Sequence, residues 1–327
     1  MQSKLLFGSS DRQRISRRTF MQCAGAYTAG ALLTSSCKSG ELDLLASPTS
    51  SNNIACYGDS LTDGIGGTRI SVLLTKNFPD RVIENYGISG QNALEIATRQ
   101  GGQPLLLTIN DNAFAGSAAV PVTNLSAQVL FTPDSDDTAT LSGTLGGIKC
   151  ILTRTSTGVA PNQIETYTVS PLLSTRQFIA PNTQFYLDTA QKTKSYIQTL
   201  WLGRNNLPTL AGVADLINSC VLYLDSPRRF VIIGVLSAVY ESATVNRTIL
   251  EMNNMLAQTY PVQYVSPKPP TAEEMSALGY TPTQQDLTDI AAGFIPRGMR
   301  LDGLHMTTVG YQLIASRIAT LIKANNW

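Results

Sequence analysis

Ile54-Ala55-Cys56-Tyr57-Gly58-Asp59-Ser60-Leu61-Thr62-Asp63-Gly64 is the stretch on which the reading of this 327-residue chain turns. Its apolar start, Ile54 to Tyr57, has the length of a buried strand, and Gly58-Asp59-Ser60 reads as the turn that leaves it. Far along the chain lies Asp302-Gly303-Leu304-His305, which holds the single histidine of the sequence. A serine hydroxyl is a poor nucleophile until a neighbouring base takes its proton, and a carboxylate that holds the imidazole in the right tautomer completes the unit. If the chain does serine chemistry, its imidazole base can only be His305.

Two more short stretches lie between these ends, Asn85-Tyr86-Gly87-Ile88-Ser89-Gly90 and Gly203-Arg204-Asn205-Asn206. Together the four resemble, in order, the first, second, third and fifth blocks of the SGNH (GDSL) hydrolases. The resemblance covers roughly 54–97 and 194–327. It implies a flavodoxin-like three-layer α/β/α sandwich with a parallel sheet of about five strands. It also implies a Ser60, His305 and Asp302 triad that needs no cofactor, and an oxyanion hole formed by the Ser60 and Gly90 backbone N–H groups and the Asn205 side-chain amide. Asp59, Asp63, Arg204 and Asn206 become neighbours of the site. Where Asn206 stands the family usually has aspartate; asparagine keeps the shape and loses the charge. Read without the resemblance, Ser60 and Gly90 also suit turns. Asn205-Asn206 before Leu207-Pro208 suits turn chemistry, and Asp302 with His305 suits a capping pair ahead of the last helix.

The apolar pattern is that of an α/β chain. Strands are expected at 54–57, 82–86, 195–202, 230–236 and 262–265, and helices at 68–78, 210–224, 244–258 and 307–324. Such alternation implies a parallel sheet covered on both faces, which binds ligands outside the carboxyl ends of its strands. Residues 103–188 break the alternation. They are rich in Thr, Ser, Val and Pro, with β candidates at 128–131, 138–141, 148–155 and 165–169, and read as an inserted antiparallel β subdomain. The hydrolase domain is then 54–102 plus 189–327. The insert either overhangs the cleft or stands apart as an appendage.

The N-terminus reads as an address. Ser16-Arg17-Arg18-Thr19-Phe20-Met21 ahead of a short small-residue apolar run resembles a twin-arginine export signal over 1–37, followed by a tether over 38–53. Two readings of Cys37 stand: lipidation, giving a membrane tether, or ordinary cleavage before Ser47. Without residues 1–37 the chain carries 19 Lys+Arg against 22 Asp+Glu, a poor footprint for nucleic acid. Cys56, Cys150 and Cys220 form no C-x-x-C pair, and Cys56 reads as a small buried hydrophobe. One histidine and scattered cysteines make no usual zinc site, and Asp134, Asp136 and Asp137 read as a solvated loop rather than a calcium site. The sequence contains no G-x-S-x-G elbow and no Walker or Rossmann fingerprint.

The expectation is an exported, periplasmic or surface-held serine esterase that removes short acyl groups, O-acetyl above all, from a carbohydrate. The alternatives are a lipolytic enzyme of the same family, which predicts an apolar acyl channel, and a surface carbohydrate-binding protein that has lost activity.

Overall fold

The computed structural model describes residues 50–133, 137–158 and 162–327. The export-signal segment, Cys37, and Asp134 and Asp136 lie outside the described residues. The first strands are β1 (Ile54–Gly58) and β2 (Ile83–Gly87). Eight more follow: β3 (Leu105–Ile109), β4 (Ala113–Gly116), β5 (Val120–Leu125), β6 (Thr138–Leu145), β7 (Ile148–Thr157), β8 (Ile164–Pro171), β9 (Thr175–Phe178) and β10 (Thr183–Leu187). The chain then returns to the first sheet with β11 (Ile197–Trp201), β12 (Phe230–Ile233) and β13 (Tyr264–Val265).

Helices α1 (Ser60–Asp63), α2 (Ile70–Thr75) and α3 (Ala93–Gln100) precede the insert, and α4 (Asp188–Thr193) leaves it. After these come α5 (Val213–Tyr223), α6 (Ala243–Thr259), α7 (Ala272–Ala277), α8 (Gln284–Ala291) and α9 (Thr308–Ala324).

The five-stranded sheet runs β13-β12-β11-β1-β2 with every pair parallel. Counted along the chain within this sheet, the order is 2-1-3-4-5, so the winding reverses between β1 and β11 and leaves a crevice at their carboxyl ends. Ser60 follows β1 directly and Asn205 follows β11. Strand alternation divides the core in two. Ile54, Cys56, Ile197, Val231 and Ile233 pack with residues of α2 and α9, while Ala55, Tyr57, Leu200 and Ile232 pack with α3, α5 and α6.

The β-rich stretch forms a closed six-stranded barrel, β10-β3-β5-β8-β7-β6, whose hydrogen-bonded pairs are antiparallel, with β4 and β9 as a separate two-stranded ribbon. Closure removes the open edges that such a sheet would present to other chains. Leu105, Leu107, Cys150, Leu152, Val169 and Phe185 fill the interior. Fully buried Arg154 is paired with Glu165 at 2.7 Å and with Asp137 at 3.0 Å. Asp137 therefore belongs to an ion pair, where the sequence suggested only a solvated loop.

The structure differs from the sequence reading at 128–131. These residues form turns, closed by Val129 N–H to Ala127 O and Phe131 N–H to Gln128 O, so their buried apolar side chains do not signal a strand. Helices α1, α3, α4, α7 and α8 and strands β3, β4, β5, β9 and β10 are not among the elements the sequence predicts.

Candidate active site

Gly58 ends β1 and lets the chain turn sharply. A Cβ there would lie 2.0 Å from Thr62 Oγ1 and 2.8 Å from Trp201 O, so no side chain fits between the strand and the turn above it. Asp59 caps that turn, its Oδ1 accepting the Leu61 N–H at 3.0 Å, and Ser60 is the first residue of α1.

His305 comes from the loop before α9. Its Nε2 lies 3.0 Å from Ser60 Oγ, and its Nδ1 lies 2.9 Å from Asp302 Oδ2. With the neutral ring protonated on Nδ1, that nitrogen donates to Asp302 and Nε2 accepts from the serine hydroxyl. Asp302 is itself fixed from behind, because Oδ1 accepts the backbone N–H groups of Leu304 at 2.6 Å and His305 at 2.7 Å. Burial works to raise the Asp302 pKa, but the hydrogen bonds from His305 and from the two amides outweigh it and hold the carboxyl below its ordinary value. Ser60 is 8% exposed, whereas the His305 and Asp302 side chains are 23% and 50% exposed, so the three groups lie along an open edge.

Of the other candidates, Asn205 and Asp59 meet one residue from Ser60. Asn205 Nδ2 donates to Gln91 O at 2.9 Å and lies 3.5 Å from Asp59 Oδ2. Burial pushes the Asp59 carboxyl up to about 6, against the Leu61 hydrogen bond and the charges of Arg204 and His305. Gly90 has φ of 80°, and a Cβ there would come within 2.3 Å of Pro133 Cδ, so the segment that follows β5 lies directly against this glycine. Asn206 accepts the Ala93 N–H at the start of α3. Arg204 is buried in an ion pair with Glu241 and also donates to Leu236 O, which joins two loops. Asp63 pairs with Arg69 at 2.9 Å. Cys56 is wholly buried, which raises its thiol to about 11 and suits a packing role.

Two residues without any sequence signal of their own belong to this neighbourhood. Gln91 and Arg99 are both buried, and Arg99 Nε donates to Gln91 Oε1 at 2.6 Å. The pair Asn92 and Glu95, a capping box, is the signal that would have revealed α3 and placed both residues beside the second block.

No family model matches the chain, and no curated protein does. Among solved structures, one similar chain is a protein assigned as lipolytic, of the G-D-S-L family, from Desulfitobacterium hafniense DCB-2. It matches with a TM-score of 0.43 and 10% identity over 83% of this chain and 99% of its own. Likeness at that level carries no weight for this chain's chemistry, which rests on the geometry above.

Cavity size points elsewhere. A cavity of about 550 Å³ lined by Tyr264, Leu278, Arg317 and Leu321 contains none of the three groups, and a cleft of about 330 Å³ beside Asp302 is lined by Val239, Arg297, Arg300 and Leu301. The aligned hydroxyl, imidazole and carboxylate are the stronger mark, because a bare cavity supplies no proton acceptor. Among the described residues no cluster of three metal-ligating side chains occurs, and no helix is long and apolar enough to cross a membrane.

Proposed function

We propose that the protein is a serine esterase of the SGNH kind, built on an α/β/α sandwich. The observation that carries this reading is the Ser60 Oγ to His305 Nε2 distance of 3.0 Å with Asp302 behind the ring. His305 takes the Ser60 proton as Oγ attacks an ester carbonyl, and Asp302 stabilises the imidazolium that forms. His305 then protonates the leaving alcohol, and water hydrolyses the acyl-enzyme by the same route. The Ser60 and Gly90 backbone N–H groups and Asn205 Nδ2 are the donors assigned to the oxyanion, each of a kind whose removal costs about a hundredfold or more in turnover.

Short acyl groups on a carbohydrate are the substrate proposed. The open edge supports this, since a half-exposed Asp302 leaves room for a bulky alcohol beside the histidine. An exported location, with Cys37 as a lipid tether, belongs to the same proposal and rests on the N-terminal sequence. A lipolytic reading has its own support in exposed apolar side chains near the triad, where Val239 and Tyr240 lie against Gly303 and Leu301 against Gly66.

Hydrolysis of p-nitrophenyl esters from acetate to long chains separates the two readings by chain-length preference. Ser60→Ala is expected to lower kcat about 10⁶-fold. Full activity in that variant, or a wild-type protein that hydrolyses none of the esters and resists a fluorophosphonate, counts against the esterase altogether.

A further inference from the structure

Gln91 follows Gly90 and is fully buried. Its side chain is oriented by opposite partners at its two ends. Oε1 accepts from Arg99 Nε at 2.6 Å, while Nε2 donates to Val129 O at 2.9 Å and to Phe131 O at 3.3 Å. A flip of the amide would set its oxygen against two carbonyls and its N–H groups against a guanidinium, so only one orientation is satisfied.

Arg99 carries the connection into the sheet. Its Nη1 donates to Tyr86 O at 2.8 Å and its Nη2 to Gly58 O at 3.1 Å, near the ends of β2 and β1. The Gln91 backbone carbonyl, in turn, accepts from Asn205 Nδ2 at 2.9 Å. One buried pair thus touches the strand that delivers Ser60, the loop that carries Gly90, the side chain of Asn205 and the chain segment between β5 and β6. Pro133, from that same segment, covers Gly90.

We infer that Gln91 is a positioning residue, which with Arg99 clasps the barrel's 129–131 segment onto the loop bearing Gly90 and so holds two of the three oxyanion donors in place. The inference rests on the esterase reading. The clasp needs a donor at one end of the side chain and an acceptor at the other. Glutamate at this position keeps the Arg99 contact and loses the contact to the barrel, whereas methionine loses both at similar volume.

The test compares wild type with Gln91→Met and Gln91→Glu. It measures kcat and KM on p-nitrophenyl acetate, the melting temperature, and amide hydrogen exchange across 126–133. Both variants are expected to lose about a hundredfold in kcat, the cost of misplacing a reacting group by about 1 Å, with KM within about threefold of wild type. Faster exchange across 126–133 is expected in both. If Gln91→Met does not fold, Gln91→Glu, which keeps the Arg99 pairing, decides. A lowered melting temperature with unchanged kcat shows a merely structural role and overturns the inference, as does unchanged exchange. A wild-type protein inert to esters and fluorophosphonate marks failure of the esterase reading instead, and is told apart because the exchange comparison still reports on the clasp.

Discussion

Asn206 Oδ1 accepts the backbone N–H of Ala93 at 2.8 Å, tying the loop after β11 to the first turn of α3. The next two amides of that helix, Leu94 and Glu95, donate to Asn92 Oδ1, so Asn206 supplies the acceptor that the local sequence does not. Ala93 is fully buried, and no acceptor replaces the lost one readily. Asn206→Ala is expected to lower unfolding free energy by about 1–3 kcal/mol. Asn206→Asp keeps the acceptor and places a negative charge at a helix N-terminus, for a gain of about 0.3–1 kcal/mol. Urea unfolding of the two variants checks both signs, and a less stable aspartate variant contradicts this account.

Asp302 accepts two backbone N–H groups on Oδ1 and faces His305 Nδ1 with Oδ2. In Asp302→Asn the two amides hold the side-chain oxygen at the first position, and the NH₂ is left facing the histidine. The ring then accepts on Nδ1 and carries its proton on Nε2, the wrong tautomer for taking the Ser60 proton. Asp302→Asn is therefore expected to reduce kcat by about 10⁴, and by more than Asp302→Ala, which imposes no tautomer. Steady-state kinetics of the two variants side by side decide this, and an asparagine variant more active than alanine excludes the tautomer explanation.

Asp59 gives stability a pH dependence. An aspartate in an unfolded chain titrates near 4, whereas burial in the fold pushes Asp59 up to about 6. Ionisation is thus harder in the folded state. The contribution is fully present below about pH 4 and is lost as pH rises through about 6, amounting to about 3 kcal/mol for a group only 1% exposed. Glu95, pushed up to about 7 by burial, adds a loss of the same sign at slightly higher pH. Urea unfolding from pH 4 to 8 is expected to show wild type losing stability relative to Asp59→Asn between pH 4 and 6. Parallel profiles rule this out.

Much of the sheet could be read from the sequence because its central strands are buried on both faces. Ile54 to Tyr57 and Phe230 to Ile233 are continuous apolar runs, and α9 shows one clean apolar face. Ser60 and His305 could be paired because one histidine leaves no choice of base. The α3 helix was hidden, since Ala93-Leu94-Glu95-Ile96-Ala97-Thr98-Arg99-Gln100 buries Glu95, Thr98, Arg99 and Gln100 along with its apolar residues. Buried polar residues disrupt the periodicity that marks a helix, and what satisfies them lies far away in the chain. The insert's strands β3 and β10 are as long as β1, and β3 is itself an apolar run; what makes them strands is pairing with partners far along the chain in the barrel, which the sequence does not show. The turn at 128–131 has the apolar content of a strand because Val129 and Leu130 pack into the barrel core, while the Val129 and Phe131 carbonyls face Gln91.

Pro133, from the segment between β5 and β6, stands directly over Gly90. An L-residue with φ of 80° costs about 1–2 kcal/mol in backbone strain alone. In Gly90→Ala the new Cβ also stands 2.3 Å from Pro133 Cδ, too close for either group to stay where it is. The variant is expected to lose stability and at least tenfold in kcat, because the Gly90 N–H moves with the loop. Pro133→Gly removes the contact without relieving the strained φ. Adding it to Gly90→Ala should therefore restore part of the lost stability, with a coupling of about 0.5–3 kcal/mol in a double-mutant cycle of unfolding free energies. Additive effects in that cycle mean that Pro133 does not press on Gly90 in solution, and the link between the barrel and the loop bearing Gly90 then falls to the Gln91 contacts alone.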